Sequence, residues 1–159
     1  MSNPDIILMG CVAQKRARPL PARWLYDSQL FDKRSAYAES LAARLDAPWA
    51  ILSARRPGIF LPYQVVAPYD VRMGDLSAAA SAQMPWEISR QLRRYFGPLG
   101  LDGATIEVHA GADYRQMLAR ACHRLAPATV RIHYPLEGLG IGAQLGWYKA
   151  RLARLRNSA

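Results

Sequence analysis

Four short apolar runs, separated by stretches of helical periodicity, constrain this chain more than any other feature. Residues 5–9, 48–52, 104–108 and 129–132 read as strands. Residues 30–45 place Tyr37, Leu41 and Leu45 four apart, and residues 83–96, 114–125 and 142–155 also read as helices; apolar residues at that spacing line one helix face. Pro85 falls in the first turn of the second helix, where a missing N–H costs nothing, and Gly97 with Pro98 ends it. Parallel strands need long crossovers, which these helices supply. The pattern predicts a single-domain, three-layer α/β/α fold over residues 1–159, with a four-stranded, mainly parallel sheet covered on both faces. There is no internal repeat, low-complexity tract or linker to divide it.

Charge narrows the partners. Twenty-one basic against twelve acidic residues give +9, and all the basic residues but Lys15, Lys33 and Lys149 are arginine. A guanidinium grips phosphate in bidentate fashion, so the excess points to nucleic acid, with DNA expected rather than RNA. No apolar run approaches the roughly 18 residues of a membrane span, and the first residues lack a signal-peptide pattern. Cys11 and Cys122 are the only cysteines, outside any CxxC or zinc-type spacing. So few cysteines suit a reducing compartment, and a cytoplasmic location is expected; a monomer is expected too.

In open α/β sheets, ligands bind beyond the carboxyl ends of the strands. Four loops meet there in the predicted fold, residues 10–15, 53–70, 109–114 and 133–144, and every unusual cluster of the chain falls in one of them. The second is the most unusual. Pro57, Gly58, Pro62 and Pro68 restrict a segment that carries Arg55, Arg56, Tyr69 and Asp70. Gly138, Gly140 and Gly142 in the fourth loop can present free N–H groups to a phosphate at a helix start, or can serve close helix packing.

Those residue types suit excision of a base from a nucleic acid. Such chemistry draws a nucleotide out of the stack, holds its base against aromatic groups, grips phosphates and stabilises a cationic sugar. Base excision would need no metal or cofactor. Tyr26, Phe31 and Tyr69 offer faces for stacking, and Arg55, Arg56 and the glycine loop offer phosphate contacts. Asp70 or Glu137 offers negative charge for the sugar cation or a base for water; Lys15, Gln14 or His109 offers a donor to the departing base. Asp70 could instead cap a turn or pair with Arg55, Arg56 or Arg72. His109 and His133 end strands, where a satisfied structural role is the common one. Cys11 and Ser53 stand where a nucleophile could, without a partner histidine or a GxSxG elbow.

Six ordered motifs add a resemblance that spans nearly the whole chain. They are Leu8, Met9, Gly10 and Cys11 with Gln14 and Lys15; Leu25, Tyr26, Asp27 and Ser28 with Leu30 and Phe31; Ile51, Leu52, Ser53 and Ala54; Ala67, Pro68, Tyr69 and Asp70; Ala110 and Gly111 with Tyr114; and Pro135 through Gly142 with Gln144. The set resembles a family of short bacterial and phage proteins of unassigned function. More distantly it is similar to the archaeosine tRNA-modification domain and the peroxide-stress protein YaaA, and through them to the uracil-DNA glycosylase-like fold. The resemblance implies a four-stranded parallel sheet of that kind, and it adds Ser28, Tyr114 and Gln144 to the candidate substrate contacts. Where family members have a His-Gly-Leu-Leu-like stretch, this chain has Arg55, Arg56, Pro57, Gly58, Ile59 and Phe60. The water-activating Gly-Gln-Asp-Pro-Tyr and the His-Pro-Ser-Pro segments of uracil-DNA glycosylases are absent. The expectation is a DNA glycosylase-like enzyme that removes a modified or noncanonical base, in repair or in defence against phage. The alternatives are a non-catalytic DNA-binding protein of the YaaA kind and a small-molecule nucleoside hydrolase or transferase.

Overall fold

The computed structural model describes residues 3–158. In chain order its first half comprises β1 (Ile6–Gly10), β2 (Leu20–Pro21), α1 (Ala22–Leu25), α2 (Gln29–Leu45), β3 (Trp49–Leu52), β4 (Ile59–Phe60) and β5 (Val65–Val66). The second half comprises α3 (Ala78–Phe96), β6 (Thr105–His109), α4 (Ala112–His123), β7 (Arg131–His133) and α5 (Ile141–Asn157), with short 3-10 turns at Met73–Asp75 and Gly97–Leu99.

The main sheet has the order β4-β3-β1-β6-β7. β1 runs parallel to β3 and β6, and β6 runs parallel to β7. The central position of β1 explains its sequence, because a strand covered on both faces is apolar throughout rather than alternating. All five of its residues are buried. Ile6 and Leu8 join a core with α3 and α4, whereas Ile7 and Met9 join a second core with α2 and α5. Enclosing each large side chain is worth about 1.5–3 kcal/mol, so β1 anchors both layers.

Four parallel strands lie where the sequence places them, within two residues. The sheet nevertheless has a fifth strand, which corrects the expected count. β4 pairs antiparallel with β3 through Ile51–Phe60 and Leu52–Ile59, so the first part of the long loop is a hairpin rather than irregular chain. Ser53 N donates to Gly58 O at 2.8 Å and Gly58 N donates to Arg55 O at 2.8 Å, closing the turn. Gly58 is required here on two counts: φ is +94°, and a Cβ would stand 2.6 Å from Ile88 Cγ1 of α3. Further along, β5 pairs with β2 in a separate antiparallel ribbon.

Helix ends follow local capping chemistry. Ser28 caps α2 by accepting from Phe31 N at 3.0 Å, and Asp46 closes it in the left-handed conformation at φ 51°. α3 begins five residues earlier than expected, at a cap in which Ser77 Oγ accepts from Ala80 N at 3.1 Å. Pro85 therefore lies inside the helix, not in its first turn. An interior proline costs about 3 kcal/mol, and the burial of Met84, Ile88, Leu92 and Phe96 on one face outweighs it. Among the described residues, no helix is long and apolar enough to cross a membrane.

Candidate functional site

The loops beyond β1 and β3 and the start of α4 bring a group of the candidate residues together. β1 ends on Gly10, whose Cβ, if present, would meet Ala110 Cβ at 2.7 Å. Glycine thus lets the exits of β1 and β6 approach, and Cys11 follows, with its amide on Leu52 O at 3.0 Å. Cys11 Sγ lies 3.2 Å from Tyr114 Oη at the start of α4. Burial, with Cys11 adding to it, raises the Tyr114 pKa well above the tyrosine range.

Tyr69 is the hub of this cluster. Its hydroxyl is hydrogen-bonded to Tyr26 Oη at 2.6 Å and to Ser53 Oγ, and Ser53 Oγ also accepts from Arg55 N at 3.0 Å. Burial, reinforced by Cys11 and Tyr26, pushes the Tyr69 pKa far up, and burial does the same to Tyr26. The two phenols consequently stay protonated, and the three hydroxyls act as a brace that fixes the Tyr69 ring over the end of β3.

Lys15 covers that ring. It is paired with Tyr26 in an antiparallel bridge, and its Nζ stands 4.2 Å from the Tyr69 ring centroid while donating to Ala13 O at 2.9 Å. Partial burial holds its pKa below the ordinary lysine value, against the opposing pull of Cys11 and Asp70. Asp70 is exposed and close enough to act on Lys15 electrostatically. It makes no ion pair among the described residues. Arg55 also borders Tyr69, its guanidinium carbon 5.6 Å from the ring centroid and its Nη1 donating to Ala67 O at 3.0 Å. Cys11, Lys15, Ser53, Arg55, Tyr69, Asp70 and Tyr114 thus form one neighbourhood.

Other candidates lie elsewhere. Tyr26 and Phe31 are wholly buried, with ring centroids 4.8 Å apart, and present no face for a base to stack on. Ser28 spends its hydroxyl on the α2 cap. The exposed Gln14 contributes its carbonyl to Asp27 N at 2.9 Å. Arg56 pairs with Glu87 of α3. Glu137 pairs with Arg115 at 3.3 Å. Gln144 Nε2 donates to Leu139 O at 2.8 Å. Gly138 adopts φ +80°, and a Cβ on Gly138, Gly140 or Gly142 would meet nothing within 4 Å. Close packing is therefore not what demands glycine there.

His109 belongs to a buried network absent from the sequence reading. Its Nε2 lies 2.8 Å from Glu107 Oε1, its Nδ1 lies 2.7 Å from Tyr148 Oη, and Tyr37 Oη donates to the same Glu107 oxygen at 2.7 Å. Burial holds the His109 pKa below its ordinary value, outweighing Glu107. A neutral ring that donates from Nε2 to the carboxylate and accepts at Nδ1 from Tyr148 satisfies every partner. Although burial opposes it, the bonds from His109 and Tyr37 keep the Glu107 pKa low. With both ring nitrogens occupied, His109 has no free donor for a departing base. The signal for this network was a carboxylate inside an apolar strand, two residues from the histidine and so on the same face.

Among the described residues, no group of three or more His, Cys, Asp or Glu could hold a metal ion. Cys11 and Cys122 are free and buried, and burial pushes the Cys122 thiol up to about 12. No curated protein and no solved structure matches the chain significantly. A family model does match, over residues 6–150, and so the chain belongs to that family, DUF6884, a family of unknown function.

Proposed function

We propose that the chain acts on DNA as a glycosylase-like enzyme, hydrolysing the N-glycosidic bond of a modified or noncanonical base. The observation that carries this reading is the braced Tyr69 with Lys15 over its ring and the unpaired Asp70 beside it, at the edge where open α/β sheets bind ligands. In the reaction, water forms a C1′–O bond as the C1′–N bond breaks. Asp70 favours the cationic sugar and takes the proton of the water, while Lys15 donates to the departing base. Arg55 supplies charge for a flanking phosphate. The parallel strands β3, β1, β6 and β7 are read as the uracil-DNA glycosylase-like sheet, with β4 as an added edge.

The test is a panel of single-stranded and duplex oligonucleotides bearing different modified bases, scored for abasic sites. One member is expected to lose its base, and Asp70→Asn, which keeps shape and removes charge, is expected to lower that rate about a hundredfold or more. Wild-type excision by Asp70→Asn would end the role given to Asp70. A second reading, non-catalytic DNA binding, is favoured by one observation: Tyr26 and Phe31 are buried and Lys15 covers Tyr69, so none of the three candidate stacking platforms stands free for a flipped base. Tight DNA binding without base release across the whole panel would select it.

A further inference from the structure

A separate cavity of about 110 Å³ opens between the end of β6, the first turn of α4 and the loop that enters α5. Arg34, His109, Gly111, Arg115, Glu137 and Gly138 are among the residues around it. That volume exceeds the space one water needs and falls well below the roughly 300 Å³ at which organic-ligand pockets begin. A single tetrahedral oxyanion is the matching size.

Its charge is unusual. Arg34 is only 6% exposed. Its Nη1 donates to Gly10 O at 3.1 Å, its guanidinium also reaches the Tyr148 hydroxyl, its Nε has no partner, and no carboxylate lies within ion-pair distance of it among the described residues. An uncompensated buried charge is strongly unfavourable, and an anion beside it removes that penalty. Arg115 forms another wall. Its Nε is likewise buried without a partner, and its Nη1 reaches the largely exposed Glu137 at 3.3 Å. His109, its pKa lowered by burial, adds no positive charge of its own, so the two arginines supply the charge.

The backbone points the same way. α4 and α5 start at Gly111 and Gly140, neither with a side-chain cap bond. Gly111 and Arg115 at the first start, and Leu139 and Gln144 beside the second, line the cavity, so the dipoles of both helix ends favour an anion there. Asp113 in the first turn of α4 opposes this effect, while α5 has no acidic residue in its first turn.

We infer that this cavity, which takes in Glu137 and Gly138 of the fourth loop, binds a phosphoryl oxyanion, carried by a nucleic-acid strand or present as free phosphate, between the buried Arg34 and an Arg115 that exchanges Glu137 for the ligand. The site does not depend on glycosidic chemistry, and phosphate binding is expected whether or not a base is released. Titration calorimetry with inorganic phosphate, against chloride at matched ionic strength, is the test. Wild type should bind saturably, Arg115→Gln about tenfold or more weakly, and Glu137→Gln about threefold or more tightly, because a competing carboxylate is gone. Arg131→Gln, at the exposed amino end of β7, should match wild type. If Arg115→Gln fails to melt as a folded protein, Glu137→Gln decides. A 5′-phosphorylated trinucleotide, its unphosphorylated counterpart and inorganic phosphate then distinguish a terminal phosphate, a backbone phosphate and the free anion as the natural source. Absence of saturable phosphate binding, or binding of equal strength in wild type and both cavity variants, would overturn the inference.

Discussion

Replacing Gly58 by alanine tests how the hairpin beneath the site is held. The new methyl meets two obstacles that add. At φ +94° an L-residue is disfavoured whatever the space, which costs about 1–2 kcal/mol. The Cβ would also stand 2.6 Å from Ile88 Cγ1 and 3.2 Å from Met84 Sδ. Methionine can yield, but Ile88 is fully buried in the core beneath α3, and overpacking of this kind costs about 1–3 kcal/mol. The sum is about 2–5 kcal/mol, or a melting temperature lower by roughly 4–20 °C for a chain of this length. Gly146→Ala is the internal control, since it lies inside α5 and nothing lies within 4 Å of the added carbon; it should be stabilising by up to about 1 kcal/mol. Thermal and urea melts of the two variants beside wild type provide the measurement. A Gly58→Ala protein within about 0.5 kcal/mol of wild type would refute the contact between hairpin and α3 as the reason for glycine.

Acid should destabilise the fold in two steps. His109 has its folded pKa lowered by burial, so its contribution is complete above about pH 6.5 and is lost as pH falls toward the lower folded value; Glu107, also depressed, contributes above about pH 4.3 and fails below it. Melting temperatures between about pH 8 and pH 5 check the first step, and a profile as steep in His109→Gln as in wild type would assign it elsewhere. DNA affinity should fall on the order of a hundredfold or more between 50 and 200 mM salt, given the arginines clustered in residues 16–23, 90–94 and 151–156; no binding at low salt would sink both DNA readings. On a confirmed substrate, Lys15 should leave the strand intact beside the abasic site, and borohydride should trap no adduct. A trapped adduct that disappears in Lys15→Ala would instead make Lys15 a nucleophile.

What the sequence determined by itself is the parallel framework and the edge at which the candidates gather. β1, β3, β6 and the helices between them carry their pattern locally, because strands buried on both faces and helices buried on one must be apolar at fixed periods. Lys15, Tyr69 and Asp70 stand out as polar residues in the loops that leave the parallel strands, the last two in a segment restricted by proline. Tertiary structure decided what each polar group does there. Tyr26 and Phe31 look alike to Tyr69 in sequence, yet α2 and the core close over them while Tyr69 stays half-buried. Gly58 is obligatory because of Ile88, thirty residues away. Glu107 and His109 are satisfied by Tyr37 of α2 and Tyr148 of α5, and Arg34 is left without a carboxylate by the same packing. Periodicity reports which face of an element is buried, but the partner of a buried polar group comes from another element, and only the packed fold specifies it.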